Sequence, residues 1–216
     1  MKVFVIAMDK EAAPVIDKMR VKSDEKRGNL RIVRGQLFKD ECAVVVCGVG
    51  KVNAARGAQY ALDVLGADKI INLGVAGGLN GTVKIGEVYA VSHAVQYDFD
   101  LTQLNGTKIG TLDEFNENYL ELAVNGAYPA RKLGTGDRFN DSKADFKLLT
   151  EELGADVRDM ECAAIAQVCA HEGVPLYSYK IISDIAGSGS TTEQYLKNLS
   201  VCFETLKNEL EKIAGV

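Results

Sequence analysis

Three acidic side chains stand where an acid–base reaction could use them. Asp184 follows the apolar run Ile181-Ile182-Ser183 and precedes a flexible Ala-Gly-Ser-Gly-Ser stretch. Burial at the end of an apolar strand favours a protonated carboxyl. A carboxyl that keeps its proton near neutral pH is a general-acid candidate, although an Asx turn or helix cap would use the same residue. Glu161 stands in "RDMECAAIAQVC", beside Asp159, at a predicted helix start. There an acid either compensates the helix dipole or accepts two hydrogen bonds from a diol such as ribose. Glu11, in "MDKEA", reads equally as a first-turn acid with no further role.

A glycine-rich stretch, "GVAGG" over 74–78, follows an apolar run. It suits either a tight turn or a ligand approaching bare backbone, because glycine has no Cβ. Its spacing is neither Gly-x-Gly-x-x-Gly nor a P-loop. His93 and His171 have no Cys or Glu at metal-ligand spacing, and Gly-x-Ser-x-Gly is absent. No metal site and no serine-hydrolase site is expected.

The elements that must position these residues alternate in type. Strands are expected over 3–7, 31–37, 43–47, 69–73, 87–95 and 176–182, and helices over 11–19, 52–65, 143–152 and 160–171. Ser190-Thr-Thr-Glu193 is a capping-box pattern opening a final helix whose apolar stripe includes Leu196, Leu199, Phe203, Leu206, Leu210 and Ile213. Alternating elements with wholly apolar strands imply a parallel or mixed sheet covered on both faces. Ligands in such folds sit beyond the carboxyl ends of strands. Met8-Asp9-Lys10-Glu11, Gly48-Val49-Gly50-Lys51, the glycine stretch and Ser183-Asp184 all fall at such ends.

Length and charge bound the rest. At 216 residues, 47% hydrophobic and 25% charged, the chain is expected to form one soluble domain over 1–216. A net charge of −5 without a basic cluster argues against a nucleic-acid partner. The five cysteines form no CxxC pair and read as buried, reduced thiols. With no apolar run near membrane-spanning length and none fit for a secretory signal at "MKVFVIAMDKE", a cytoplasmic, membrane-free location is expected.

Taken in order, these stretches resemble the nucleoside phosphorylase/nucleosidase superfamily, and within it the 5′-methylthioadenosine/S-adenosylhomocysteine nucleosidases. The resemblance rests on "IAMDKEAAPV", "CGVGKVNAARGA", "INLGVAGGL", "YDFDLT", "GTGDRFND", "DMECAAIAQVC" and "IISDIAG". It implies a three-layer α/β/α sandwich with a twisted mixed central sheet, a homodimer, a nucleoside substrate, and no metal or organic cofactor. It further implies that Asp184 protonates purine N7 and that Glu11 orients or deprotonates the attacking water. Glu161 would grip the ribose hydroxyls, with Met160 packed on the sugar, Phe139 stacked on the base and the Asn140 backbone reading its edge. Met8 and Val49 would line the sugar and the 5′ side, and Ser183 belongs to the matching Ser-Asp strand end. The alternation of Val95, Tyr97, Phe99 and Leu101 would supply an edge for the dimer seam.

Two departures from the family pattern stand out. Val75 replaces a Ser near the water and phosphate region, and Lys180 replaces an Arg. On a regular strand Lys180 and Asp184 share a face, and an ammonium beside Asp184 would oppose its work as an acid. Lys180 is therefore expected to turn towards Glu11 and pair with a carboxylate other than Asp184. Two other readings remain beside hydrolysis: a phosphorylase using phosphate, and a non-catalytic nucleoside-binding protein. Asn72 and the acidic "MDKEA" stand where phosphorylases of this fold carry arginines, which favours water.

Overall fold

Strand-forming runs of Val, Ile and Phe build the centre of the molecule, seen here in a computed structural model that describes residues 1–139 and 141–216. The strands β1 (Lys2–Ile6), β4 (Asp40–Val46), β5 (Lys69–Gly78) and β10 (Leu176–Ile185) run parallel, in the order β4-β1-β5-β10. On the far side of β4 lie the antiparallel β3 (Leu30–Leu37) and β2 (Met19–Arg27). On the other side β10 pairs with β6 (Val88–Gln96), β6 with β8 (Ala130–Thr135), and β8 with β9 (Val157–Asp159). The short β7 (Leu120–Glu121) adds to β6. Because β9 returns to pair with Gly77 and Gly78 of β5, strands β5, β10, β6, β8 and β9 close on themselves. The mixed sheet is thus open at the β2 edge and curled into a ring at the other end.

Helices cover both faces, giving the expected three layers. The helices α2 (Lys51–Asp63) and α5 (Cys162–Glu172) bury small residues such as Ala54, Ala58, Ala163 and Ala166 on one face, against Val3, Val5, Ile70 and Ile182. On the other, α1 (Asp9–Ile16) and α6 (Thr191–Ala214) bury Ala12, Val15, Cys202, Leu206 and Leu210 against Phe4, Ile71, Leu73 and Ile181. A one-turn helix, α3 (Thr102–Asn105), and α4 (Lys143–Lys147) with its π-helical continuation Leu148–Glu152 complete the elements. All five cysteines are buried, and no helix among the described residues is long and apolar enough to cross a membrane.

Several expectations change. The glycine stretch is not a turn after β5 but its last five residues, and Ser183-Asp184 lies inside β10. A register shift between Ile182 and Asp184 there interrupts the strand's alternation. Residues 19–27 form a strand with no apolar alternation because it is an edge, exposed after Met19 and tied to β3 by backbone pairing and by ion pairs such as Arg31–Asp24. Charged edges of this kind discourage strand addition. Val95 and Tyr97, expected at an open edge, are buried against Leu149 and Leu153, since β6 already has partners on both sides. Met160 and Glu161 precede α5 rather than opening it, Glu161 being the N-cap.

The final helix also differs in detail. Leu206 is 1% exposed but Leu196 is 66% exposed, so the buried stripe starts about two turns later than its apolar sequence suggests. Leu206→Ala is accordingly expected to lower unfolding free energy by about 2–5 kcal/mol in a denaturant titration. Leu196→Ala should stay within about 0.5 kcal/mol of the parent.

Candidate active site

The carboxyl ends of the parallel strands meet at a cavity of about 390 Å³, within the range of small-molecule sites. Of the residues singled out in the sequence, Met8, Glu11, Val49, Val75, Phe139, Met160, Glu161, Ser183 and Asp184 all line it. Asn140 lies outside the described residues.

Glu11 sits in the first turn of α1 and points back across the end of β5. Its carboxylate accepts hydrogen bonds from the Val75 N–H (2.8 Å) and the Met8 N–H (3.3 Å). Burial pushes its pKa up to about 7, although these donors and the Lys180 charge pull the other way. Glu161 accepts from the Gly50 N–H at 2.9 Å. Burial first, then the neighbouring Asp159 charge, push it up to about 7 as well. Gly50 can present that N–H because its φ of 99° lies in the left-handed region open to glycine.

Asp184 has a different environment. One oxygen accepts from the Ser183 hydroxyl at 2.7 Å, and the other is buried with no hydrogen-bond partner among the described residues. Burial raises its pKa, against the lowering effects of Ser183 and of the Arg158 charge. A carboxyl with one oxygen free and desolvated is suited to carry a proton towards something that enters the cavity.

The glycines of β5 explain how two acids fit against one strand. A Cβ on Gly74 would lie 2.8 Å from a Glu11 oxygen, and one on Gly77 would lie 2.8 Å from the free Asp184 oxygen. The space they leave is filled by the protein's own carboxyl groups.

Beneath these groups lies a buried ion pair. The Lys180 ammonium is 2.8 Å from Asp159, and the two side chains are 2% and 1% exposed. The other Asp159 oxygen accepts from the Thr135 hydroxyl at 2.6 Å, whose oxygen accepts from the Ala163 N–H at 2.9 Å. The Cys162 N–H donates to Asp159 at 3.0 Å. Lys180 therefore pairs with a carboxylate other than Asp184, as expected, but that partner is Asp159 and not Glu11. Burial alone would lower the Lys180 pKa; the neighbouring negative groups, Asp159 foremost and Glu161 among them, together outweigh it and hold the ammonium ionised.

Reasoning from sequence missed several contributors, Arg138 among them. Arg158, from β9, and Tyr195, from α6, also line the cavity. Tyr195 packs edge-on against Phe139, with ring centroids 5.4 Å apart, at the cavity mouth. Arg158 carried no signal, being one charge in the short run "VRD" that itself gave no strand pattern.

A mixed sheet between two helical layers, with buried acids lining a cavity at the ends of its parallel strands, is an arrangement typical of α/β enzymes. The sequence matches the phosphorylase superfamily over residues 2–214, and the chain belongs to that superfamily. A 5′-methylthioadenosine/S-adenosylhomocysteine nucleosidase of Geobacillus kaustophilus is 32% identical over 214 residues, covering 91% of both chains. Among solved structures, the futalosine hydrolase of Helicobacter pylori superposes with a TM-score of 0.90 at 23% identity, over 99% of this chain and 97% of that one. A 5′-methylthioadenosine/S-adenosylhomocysteine nucleosidase from the same organism gives 0.89 at 24%, with the same coverage.

Removing the buried cation should be felt by both glutamates. In Lys180→Met the carboxyls of Glu11 and Glu161 lose a charge that favours ionisation, so their titration, followed by carbon-13 NMR, should move above that of the parent. The uncompensated Asp159 should cost about 3–5 kcal/mol of stability.

Proposed function

We propose that this cavity hydrolyses the N-glycosidic bond of a purine nucleoside, with 5′-methylthioadenosine, S-adenosylhomocysteine or a related adenine nucleoside as substrate. The observation that carries the reading is that Asp184, with one buried oxygen left without a partner among the described residues, lines the same cavity as Glu11 and Glu161. The names of the relatives point to the same chemistry.

Cleavage of such a bond passes through an oxocarbenium-like sugar, so it needs a proton for the leaving base and negative charge near the sugar. Asp184 gives its proton to purine N7 as the C–N bonding pair moves into the ring. Glu161 accepts hydrogen bonds from the ribose diol, with Met160 against the sugar. Glu11, in its ionised form, takes a proton from water as the oxygen bonds to the anomeric carbon. Phe139 covers the base, the Asn140 backbone reads its edge, and Met8 and Val49 border the 5′ side beside Val75 and Ser183. The products are free base and free sugar, and both acids then exchange their protons with solvent.

Water is favoured over phosphate as the nucleophile. A phosphate dianion beside Glu11 would meet two carboxylates, and the Lys180 ammonium that acts on both is already held by Asp159. Asn72 is likewise committed, donating to the Val5 carbonyl at 3.0 Å.

The same reading extends to a single domain over 1–216, a homodimer and a cytoplasmic setting. Support for the dimer comes from exposed apolar side chains, with Val52 80%, Leu196 66% and Phe139 50% exposed. Buried thiols suit a reducing compartment. Light scattering at micromolar concentration should give about twice the chain mass of 23.3 kDa.

Incubation with a nucleoside panel, with and without phosphate, tests the reaction. Free sugar formed without phosphate is expected, and sugar 1-phosphate formed only with phosphate would overturn hydrolysis. Asp184→Asn should lower kcat by at least ~10²-fold, the range for a lost general acid, with far less change in ligand affinity. Because Glu11 must be ionised and its pKa is raised to about 7, activity should climb as pH rises through that value. Near-normal turnover in Asp184→Asn would place the acid elsewhere.

A further inference from the structure

Arg158 is a nearly buried cation that the proposed chemistry does not use. It is 7% exposed, lines the cavity, and its backbone pairs with Gly77 of β5. Of the acids beside it, Asp159, its neighbour in the chain, is held by Lys180, while Asp184 feels its charge without forming an ion pair with it. Among the described residues nothing forms an ion pair or a side-chain hydrogen bond with its guanidinium. A guanidinium on the cavity wall without a protein acceptor offers its donors to whatever enters the cavity.

Its position says which part of a ligand that is. The Arg158 Nε lies 3.2 Å, and the free Asp184 oxygen 2.8 Å, from the point where a Cβ on Gly77 would stand. The two side chains therefore converge on one patch of wall. If Asp184 serves N7 of a purine, its polar neighbour on that edge is the substituent at C6. Adenine presents an amino donor there, whereas a 6-oxopurine presents O6, an acceptor beside N7 that matches an arginine donor.

We propose that Arg158 reads the C6 position of the base and lets this site accept 6-oxopurine nucleosides in addition to adenine nucleosides. The proposal rests on the nucleosidase reading and widens its substrate class. The long arginine stem can withdraw from a 6-amino base, so adenine is tolerated and the 6-oxo base gains a charge-assisted hydrogen bond.

The test compares the 6-amino and 6-oxo forms of one 5′-methylthio nucleoside on the parent and on Arg158→Met. The parent is expected to hydrolyse both. In the variant, kcat/KM for the 6-oxo form should fall at least ~10-fold relative to that for the 6-amino form, the scale of one good base contact. Binding of free hypoxanthine and free adenine to the parent protein provides a measurement that needs no variant, with measurable hypoxanthine binding expected. The proposal is overturned if the parent cleaves only the 6-amino form and binds no hypoxanthine, or if the substitution leaves the ratio unchanged. Cleavage of neither nucleoside would instead sink the nucleosidase reading itself, and this inference with it.

Discussion

The contact between Lys180 and Asp159 is the constraint around which the site is organised. Two opposite charges are taken wholly out of water, which is costly unless their remaining hydrogen-bonding capacity is met. Here it is met from several elements at once: Thr135 at the end of β8, and the first backbone N–H groups of α5. The pair therefore fixes the end of β9 against β10 and the start of α5. Met160 and Glu161, which lie between β9 and α5, inherit their placement from it.

The same pair sets the electrical balance of the cavity. Glu11 and Glu161 are both desolvated, and burial alone would keep them neutral. The Lys180 charge and the backbone donors of Val75, Met8 and Gly50 return part of what desolvation removes, leaving both near 7. Asp184, at the other end of the cavity, gets only one hydroxyl donor and keeps an oxygen bare. One fold thus holds carboxyl groups in different surroundings: backbone donors and the Lys180 charge act on Glu11 and Glu161, whereas Asp184 has a hydroxyl donor and an oxygen left bare.

Much of this was legible in the sequence. Apolar strands and small-residue helices announced a covered sheet, because the central residues of β1, β4 and β5 are buried on both faces and most of them are apolar. The candidate acids were legible because a carboxylate at the end of such a strand breaks the pattern. What escaped was decided by pairing rather than by side-chain pattern. β2 is polar throughout and exists through its backbone bonds and ion pairs to β3; β8 and β9 are too short to show a period. The partner of Lys180 was misplaced because a periodicity argument places a side chain on a face without saying what crosses from another strand. The bulge after Ile182 further removed the regular alternation on which that argument relied.

The bare stretch of β5 has a consequence for what can be processed. Glu11 presses on the strand at Gly74 and Asp184 presses on it at Gly77, three residues further along. An extended chain rises roughly 3.3 Å per residue, so the two acids are registered on a rule roughly 10 Å long whose length is fixed by covalent geometry. The strand can neither stretch nor shorten without breaking its pairing with β10. On the proposed roles of these two acids, a nucleoside would be measured as well as recognised. A one-ring pyrimidine base has no imidazole nitrogen to bring to the Asp184 mark when its sugar sits at the Glu11 mark.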